Sequence, residues 1–341
     1  MPETGTGAGL RHTRRLGAGT LRSVHHSHQA QRRGLVEVVC AGVLWGTGGL
    51  AMQLLREHDP ISPLAVIFWR ALIGAVVVLL VLAALRRGHE LVALGRRHPW
   101  RLLAVGTGTA GIQAFFFLAV PMAGVAVATV VGIGLAPVLL TVTDAVRSRR
   151  PPTPARAAVL VTALTGLVLV SVVAGAAGTG PRPVAGVVLA AASATTFALT
   201  TTLAGGRISR SASPLVLTGG MAMVGVVVVT PTLLLVDGSV TSRDPAVWAW
   251  LVYLGVFTLV VAYVLLYSAL RVTPASTAVT ATLVEPVTAT LAAAVVLQEP
   301  IGVVGALGVV LVLAGVAGLG RPAAAAGPVV SPPSSTAASP G

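Results

Sequence analysis

The chain has 341 residues, of which 55% are hydrophobic and only 10% are charged. A soluble domain of this length needs more charge on its surface, so the apolar excess must face a solvent that is itself apolar. The net charge of +13 comes from arginine alone, because the sequence contains no lysine. These arginines fall in short clusters between apolar runs, which is typical of a membrane protein and not of nucleic-acid binding. We therefore expect a polytopic protein whose partner is the lipid bilayer.

Residues 1–34 precede the first apolar run and contain arginine and histidine without an apolar stretch. We predict a disordered basic cytoplasmic tail here. Residues 321–341 are rich in Ala, Pro and Ser and have no periodicity, which predicts a second disordered tail at the C-terminal end.

A transmembrane helix needs about 20 consecutive apolar residues. Ten segments meet this requirement, and in chain order they are 35–55, 61–85, 102–120, 123–146, 155–177, 183–204, 214–236, 246–270, 275–297 and 301–320. They are too long and too continuously apolar to be strands of a membrane barrel. The predicted fold is therefore an all-α polytopic membrane protein with ten transmembrane helices.

The arginines also predict the orientation of these helices. The clusters at 86–101 and 147–156 fall on the same side of the membrane as the N-terminal segment, whereas the loops on the other side hold only Arg56, Arg182 and Arg243. Arginine is enriched in cytoplasmic loops, so both termini are predicted to be cytoplasmic. The abundance of Ala, Val, Gly, Pro and Arg suggests a bacterial source, and we expect the inner (plasma) membrane as the location.

An internal repeat relates the two halves of the chain. Residues 126–170 align without a gap with residues 275–319, and the matched pairs include Pro137 with Pro286, Pro151 with Pro300, and Gly166 with Gly315. This offset spans five helices. Because five is odd, the second copy must enter the membrane in the opposite orientation. The sequence thus predicts two inverted five-helix repeats.

The two repeats are predicted at residues 35–177 and 183–320. Inverted repeats recur in secondary transporters, where the substrate site lies near the membrane midplane between the halves. Since one chain contains both repeats, a monomer is sufficient for such a site, and a dimer is left open.

Several short motifs follow one another along the ten predicted spans. In chain order they are Trp45-Gly46, Arg70, Pro137, Gly166, Glu285-Pro286, the sequence QEP at 298–300, and Gly315. In this order and spacing, residues 35–320 resemble an EamA-type member of the drug/metabolite transporter superfamily. The resemblance implies a carrier of small metabolites, often an exporter of amino acids or drugs, that works without an ATPase.

The chain departs from the family pattern at two positions. Ala136 stands where a glutamate often precedes the proline of the first half, and Arg150 stands where an acidic residue is usual after the fourth span. A symmetric mechanism with one carboxylate in each half is therefore in doubt.

Glu285 lies near the middle of the ninth predicted span, where an ionised carboxylate must face protein or water. We predict that it binds a proton or a cationic group of the solute. Pro286 beside it has no N–H and is expected to free the carbonyl of Thr282 one turn earlier, which would create a polar, bendable point. The alternative is a protonated glutamic acid that bonds to a neighbouring helix.

Two other polar residues lie deep in predicted spans. Arg70, about halfway along the second span, would pair with Glu285 or with a carboxylate of the solute, or its side chain would reach toward the outer surface. Gln113, in the third span, would hydrogen-bond to the solute or to another helix.

Three aromatic residues are further candidates for the transport path. Trp45 is central in the first span and would form a wall of a cavity. Tyr263 and Tyr267 lie one turn apart on the eighth span and would line the same route. Packing between helices is the alternative for all three.

Small and charged residues predict contacts elsewhere. Gly42 and Gly46 favour a close approach between helices. At the predicted cytoplasmic ends of the first and fourth spans, we expect Glu37 to pair with Arg33, and Asp144 to pair with Arg147.

Together these observations predict a secondary transporter, expected to be an exporter, that moves a small-molecule solute by alternating access and couples to protons through Glu285. We expect no metal, no cofactor and no enzymatic activity, because no Walker A, HExxH or GxSxG sequence occurs. The alternative is a membrane-embedded enzyme or assembly factor that acts on lipid-linked substrates.

Overall fold

The structure is a computed structural model that describes residues 7–174, 180–235, 238–298 and 301–320. Within these ranges all regular structure is helical. The α-helices in chain order are α1 (Gly7–His58), α2 (Pro63–Ala84), α3 (Gly88–Arg97), α4 (Pro99–Ala123), α5 (Val125–Ser148), α6 (Pro154–Ala174), α7 (Pro183–Ala204), α8 (Arg207–Ser211), α9 (Pro214–Val229), α10 (Pro245–Tyr253), α11 (Ala262–Ala269), α12 (Ala275–Ala281), α13 (Val284–Val296) and α14 (Val303–Gly318).

Nine helical stretches in the described ranges are long and apolar enough to cross a membrane, and α14 is a shorter apolar helix. They coincide with the ten predicted spans and confirm the all-α prediction. Proline occupies the first turn of six of them, where a missing N–H breaks no helical hydrogen bond, and these are Pro63, Pro99, Pro154, Pro183, Pro214 and Pro245.

Helix α1 extends into the N-terminal segment for which a disordered cytoplasmic tail is predicted. Helix α1 begins at Gly7 and therefore includes most of residues 1–34, for which the composition indicated no regular structure. A physical reason is that the Leu, Arg, Gln and Ala of this segment are good helix formers and directly precede a stable span. The predicted C-terminal tail at 321–341 lies outside the described residues, as do residues 175–177 of the fifth predicted span and residues 299–300 of the QEP motif.

The helix contacts follow the symmetry of the two repeats. In the first half the spans are α1, α2, α4, α5 and α6, and in the second they are α7, α9, α10 with α11, α12 with α13, and α14. The third span of each repeat packs on the first span of the other, so α4 contacts α7 while α10 and α11 contact α1. The fourth spans do the same, because α5 contacts α7 and α13 contacts α1. The pairs α2 with α9, α5 with α12, and α6 with α14 each contact their own repeat partner. This pattern is that of a two-fold axis between inverted halves.

Two spans of the second half are irregular at the same depth. The eighth span contains a π-helical segment, Leu254–Val261, between α10 and α11. The ninth span breaks between α12 and α13, where Glu285 donates its backbone N–H to the Thr282 carbonyl at 2.9 Å, three residues back. Irregular backbone at membrane depth is tolerated where it faces protein or a cavity.

Glycine permits a close helix contact between the repeats, where α6 crosses α14. A Cβ atom on Gly166 would lie 2.6 Å from the carbonyl oxygen of Gly308, and one on Gly308 would lie 2.8 Å from the carbonyl oxygen of Gly166. A larger side chain at either position would therefore separate the two helices.

Candidate functional site

A cavity of about 390 Å³ lies between the two repeats. Its wall is mostly apolar and aromatic, with a few polar side chains directed into it. Five of the predicted site residues line it, namely Trp45, Arg70, Gln113, Tyr263 and Glu285. A cavity of this size and character is suited to a small molecule.

The cavity occupies one half of the bundle. On α1 it is lined from Trp45 to Met52, and on α2 from Val66 to Arg70, which are the halves nearest the loop between these helices. The opposite half is filled by an apolar cluster, which we call the inner core, and its largest buried members include Leu82, Leu94, Ile208, Met221 and Leu266. The arginine distribution predicts that the inner core faces the cytoplasm and that the cavity faces outward.

Arg70 is held from two sides by neutral groups. Its Nη1 donates to Oε1 of Gln113 at 3.0 Å, and its Nη2 donates to the backbone carbonyl of Thr258 at 2.8 Å. The predicted ion pair with Glu285 is not among the salt bridges of the described residues. Of the five N–H groups of a guanidinium these contacts use two, so the charge remains available to a solute in the cavity.

The carbonyl of Thr258 owes its availability to the π-helical segment. In an α-helix this oxygen would accept the N–H of Ala262, but that N–H is donated to Phe257 and Leu259 instead. The freed oxygen accepts from Arg70 and also from Nε1 of Trp45, at 2.9 Å. One backbone atom thereby fixes two cavity side chains, which agrees with the frequent occurrence of π-helical turns at functional sites.

Glu285 lines the same cavity from the first turn of α13. Within the described part of the chain, its carboxylate has no ion-pair partner. The N-terminal end of a helix carries partial positive charge, which favours a carboxylate at this position. Glu285 and Arg70 therefore face one cavity, an acid and a base without an ion pair between them.

Pro286 does not act as predicted. It is buried in the first turn of α13, where the lack of an N–H is harmless, and it does not line the cavity. The Thr282 carbonyl is not left free, because it accepts the N–H of Glu285. The span is thus divided at this point into two helices, and the polar position arises from the break and not from a proline kink.

The aromatic residues form a floor between the cavity and the inner core. The ring centroid of Trp45 lies 5.2 Å from that of Tyr263 and 6.2 Å from that of Phe197, both in edge-on contact. Tyr267 lies below this floor, with 2% of its surface exposed, and packs in the inner core. Tyr263 therefore lines the cavity and Tyr267 does not, and a role of either residue in transport stays a prediction.

Close packing of α1 against the ninth span positions Glu285. A Cβ atom on Gly46 would lie 2.5 Å from the carbonyl oxygen of Glu285, and one on Gly42 would lie 2.5 Å from a methyl group of Val284. The predicted approach at these two glycines is confirmed. It brings the backbone of α1 directly against the helix break.

A polar cluster of three residues joins the repeats below the inner core. Asp144 of α5 pairs with Arg156 of α6 at 3.2 Å, and both bond to the hydroxyl of Ser276, the second residue of α12. The prediction of a pair between Asp144 and Arg147 is wrong, because α6 returns beside α5 and brings Arg156 closer. The predicted pair of Glu37 with Arg33 is confirmed, at 2.9 Å.

Several cavity residues were not singled out from the sequence. They are Met52, Phe116, Phe117, Ser193, Phe197 and Thr258. The three consecutive phenylalanines at 115–117 could have indicated an aromatic wall from the sequence. No sequence feature indicates the role of the Thr258 carbonyl, because that role depends on backbone geometry.

In the described residues, ten apolar spans form two inverted repeats around a cavity at their interface. This arrangement defines a membrane transporter of small solutes. The chain belongs to the EamA-like transporter family, whose model matches residues 32–172 and 184–321. It is 31% identical over 281 residues to "Uncharacterized transporter YwfM" of Bacillus subtilis (strain 168), an alignment that covers 82% of this chain and 90% of that protein. A solved structure described as "Crystal structure of protein" has a TM-score of 0.71 and 22% sequence identity, covering 85% of this chain and 97% of the other, and shares the fold.

Proposed function

We propose that the protein is a secondary transporter that exports small metabolites, amino acids or drugs by alternating access, and that Glu285 couples export to protons. The observation that carries the proposal is that Arg70 and Glu285 line one apolar and aromatic cavity between inverted repeats without an ion pair between them, Arg70 being held by neutral acceptors. Such a cavity suits a solute that has a charged group at one end and an apolar body. Protonation of Glu285 would remove its charge, so a proton and a cationic group would compete for it.

The described conformation supports alternating access because its two halves differ. The cavity lies in the half predicted to face outward, while the inner core and the cluster of Asp144, Arg156 and Ser276 close the other half. Rocking one repeat against the other would open the closed half and close the open one. In this proposal the structure corresponds to the outward-facing state.

Transport by purified protein in liposomes tests the proposal. A mixture of labelled amino acids and cationic drugs is loaded, and a pH gradient is imposed across the membrane. We expect a subset of solutes to move unchanged, at a rate that depends on the gradient, and Glu285→Gln to remove this dependence while the protein still folds.

Two results would contradict the proposal. Equal dependence on the gradient in Glu285→Gln would exclude coupling through this carboxylate. Chemical conversion of a lipid-linked substrate, with no movement of free solute, would instead support the membrane-embedded enzyme or assembly factor.

A further inference from the structure

The connection between the second and third spans is strongly basic. Residues 86–101 contain five arginines and a single acidic residue, Glu90. Glu90 already forms an ion pair with Arg87, whose Nε and Nη2 donate to its two oxygens at 2.6 and 2.8 Å. This bidentate pair with the Arg87 guanidinium lowers the pKa of Glu90. Within the described residues, the other four arginines, at positions 86, 96, 97 and 101, have no carboxylate partner.

The short helix α3 carries two of these arginines, Arg96 and Arg97, at the edge of the bundle. Leu94 on α3 is buried in the inner core, and Leu91 packs against α9, where a Cβ atom on Gly220 would lie 3.4 Å from it. With its apolar side bound to α9, the helix leaves Arg96 and Arg97 exposed. Arg96 and Arg97 are therefore held by a packed helix, and Arg101 follows in the first turn of α4.

Apolar side chains are exposed directly beside these charges. Leu85, Val92 and Leu103 are each more than half exposed, and so is Trp100, whose ring lies 5.0 Å below the guanidinium of Arg101. Exposed aliphatic side chains face acyl chains, and tryptophan prefers the level of the headgroups. A guanidinium next to such a surface is placed to meet the phosphate of a phospholipid whose tails contact the aliphatic side chains.

Arg86 occupies a backbone position that disfavours its side chain. Helix α2 ends with hydrogen bonds from Arg86 N–H to Ala83 and from Arg87 N–H to Leu82, and Arg86 has φ of 55°. This left-handed position after a helix is the one that glycine adopts without steric strain. An arginine at this position makes the local structure less stable than a glycine would.

We propose that Arg86, Arg96, Arg97 and Arg101, together with Trp100, form a binding surface for anionic phospholipids of the membrane leaflet next to α3. The surface selects for headgroup charge, and each arginine strengthens binding about fivefold. By holding lipid against α3, it stabilises the contact of this helix with α9 and so the closed half of the bundle.

The test compares the full-length protein in nanodiscs of phosphatidylcholine alone and of phosphatidylcholine with phosphatidylglycerol. We expect the thermal midpoint of the wild type to rise with phosphatidylglycerol, and the double variant Arg96→Gln with Arg97→Gln to lose most of that rise. Arg86→Gly should have two effects of opposite sign. In phosphatidylcholine it should raise the midpoint by about 2 °C because the strain is relieved, yet it should also reduce the gain from phosphatidylglycerol.

Gln298→Gly is the matched control. Gln298 also has a left-handed backbone, with φ of 57°, but it is uncharged and follows α13, far along the chain from α3. Relief of strain should raise its midpoint too, while the response to phosphatidylglycerol stays as in the wild type. An unchanged lipid response in both arginine variants would overturn the proposal. So would an equal rise with inorganic phosphate in phosphatidylcholine, because the site would then bind a free anion and not a lipid.

Discussion

Arg70 binds two neutral acceptors, Gln113 on α4 and the Thr258 carbonyl in the π-helical segment. A guanidinium spans both because its N–H groups form a fixed fork, which the single ammonium of lysine cannot reproduce. A lysine at position 70 would therefore keep the positive charge but lose one of the two hydrogen bonds that orient it.

Arg70→Lys tests that geometry. We expect the Michaelis constant for a solute with an anionic group to rise about tenfold, because one charge-assisted hydrogen bond is lost while the charge is kept. Initial rates of uptake into liposomes measure this. Arg101→Lys, outside the cavity, is the control and should leave the constant unchanged; an equal change in both variants would mean that Arg70 has no particular role.

The glycines of α1 allow a second comparison between single residues. Gly46→Ala should lower the free energy of unfolding by about 1–3 kcal/mol, because the added Cβ would lie 2.5 Å from the Glu285 carbonyl and 2.6 Å from Cβ of Thr288. Gly49→Ala is the control, since nothing lies within 4 Å of its Cβ. Thermal unfolding in detergent should show a lower midpoint only for Gly46→Ala, and equal midpoints would contradict the packing described here.

At the scale of single elements, the spans could be predicted from sequence because twenty apolar residues suffice to identify a helix in lipid. The break before α13 and the π-helical segment could not, because hydropathy does not report which carbonyl each N–H binds. Arg70 and Glu285 were visible as charges in apolar runs, but their partners depend on how helices from distant parts of the chain approach one another. The error at Pro286 has this origin, since its effect depends on where the helix begins.

In the proposed cycle, the cluster of Asp144, Arg156 and Ser276 is the contact between helices that closes the inner half. Val279 lies one turn beyond Ser276 on α12 and is buried with Ala136, Leu140, Ala194 and Ala198, which all belong to α5 and α7. Separation of α12 from these helices would expose Val279.

Labelling of a cysteine at position 279 tests this closure. The chain has one cysteine, Cys40, so Cys40→Ala with Val279→Cys leaves a single reporter. We expect Asp144→Asn to increase the labelling rate about threefold, and the exchange Asp144→Arg with Arg156→Asp to restore most of the original rate. An unchanged labelling rate in both variants would show that the cluster does not hold the inner half closed.

For the whole molecule, the arginine distribution predicts that residue 1 and residue 341 are on the cytoplasmic side. A fluorescent reporter fused after residue 341 should fluoresce in cells, whereas alkaline phosphatase at the same position should be inactive because it needs the oxidising exterior. Reporters inserted after Ser239, between the seventh and eighth spans, should give the opposite result. An active phosphatase at the C-terminal end would require an odd number of spans.

The inner cluster has no counterpart in the other repeat. By the alignment of Ala126 with Ala275, the positions equivalent to Asp144, Arg156 and Ser276 are Ala293, Gly305 and Val127, none of which has a polar side chain. Closing the exterior would thus gain no equivalent of this ion pair, so in the proposed cycle we expect an unloaded carrier to favour the state whose binding pocket faces the medium. In that state Glu285 would bind a proton from the medium before the carrier returns to the inward-facing state. The order of events in the export cycle would then follow from three side chains that lie outside the pocket.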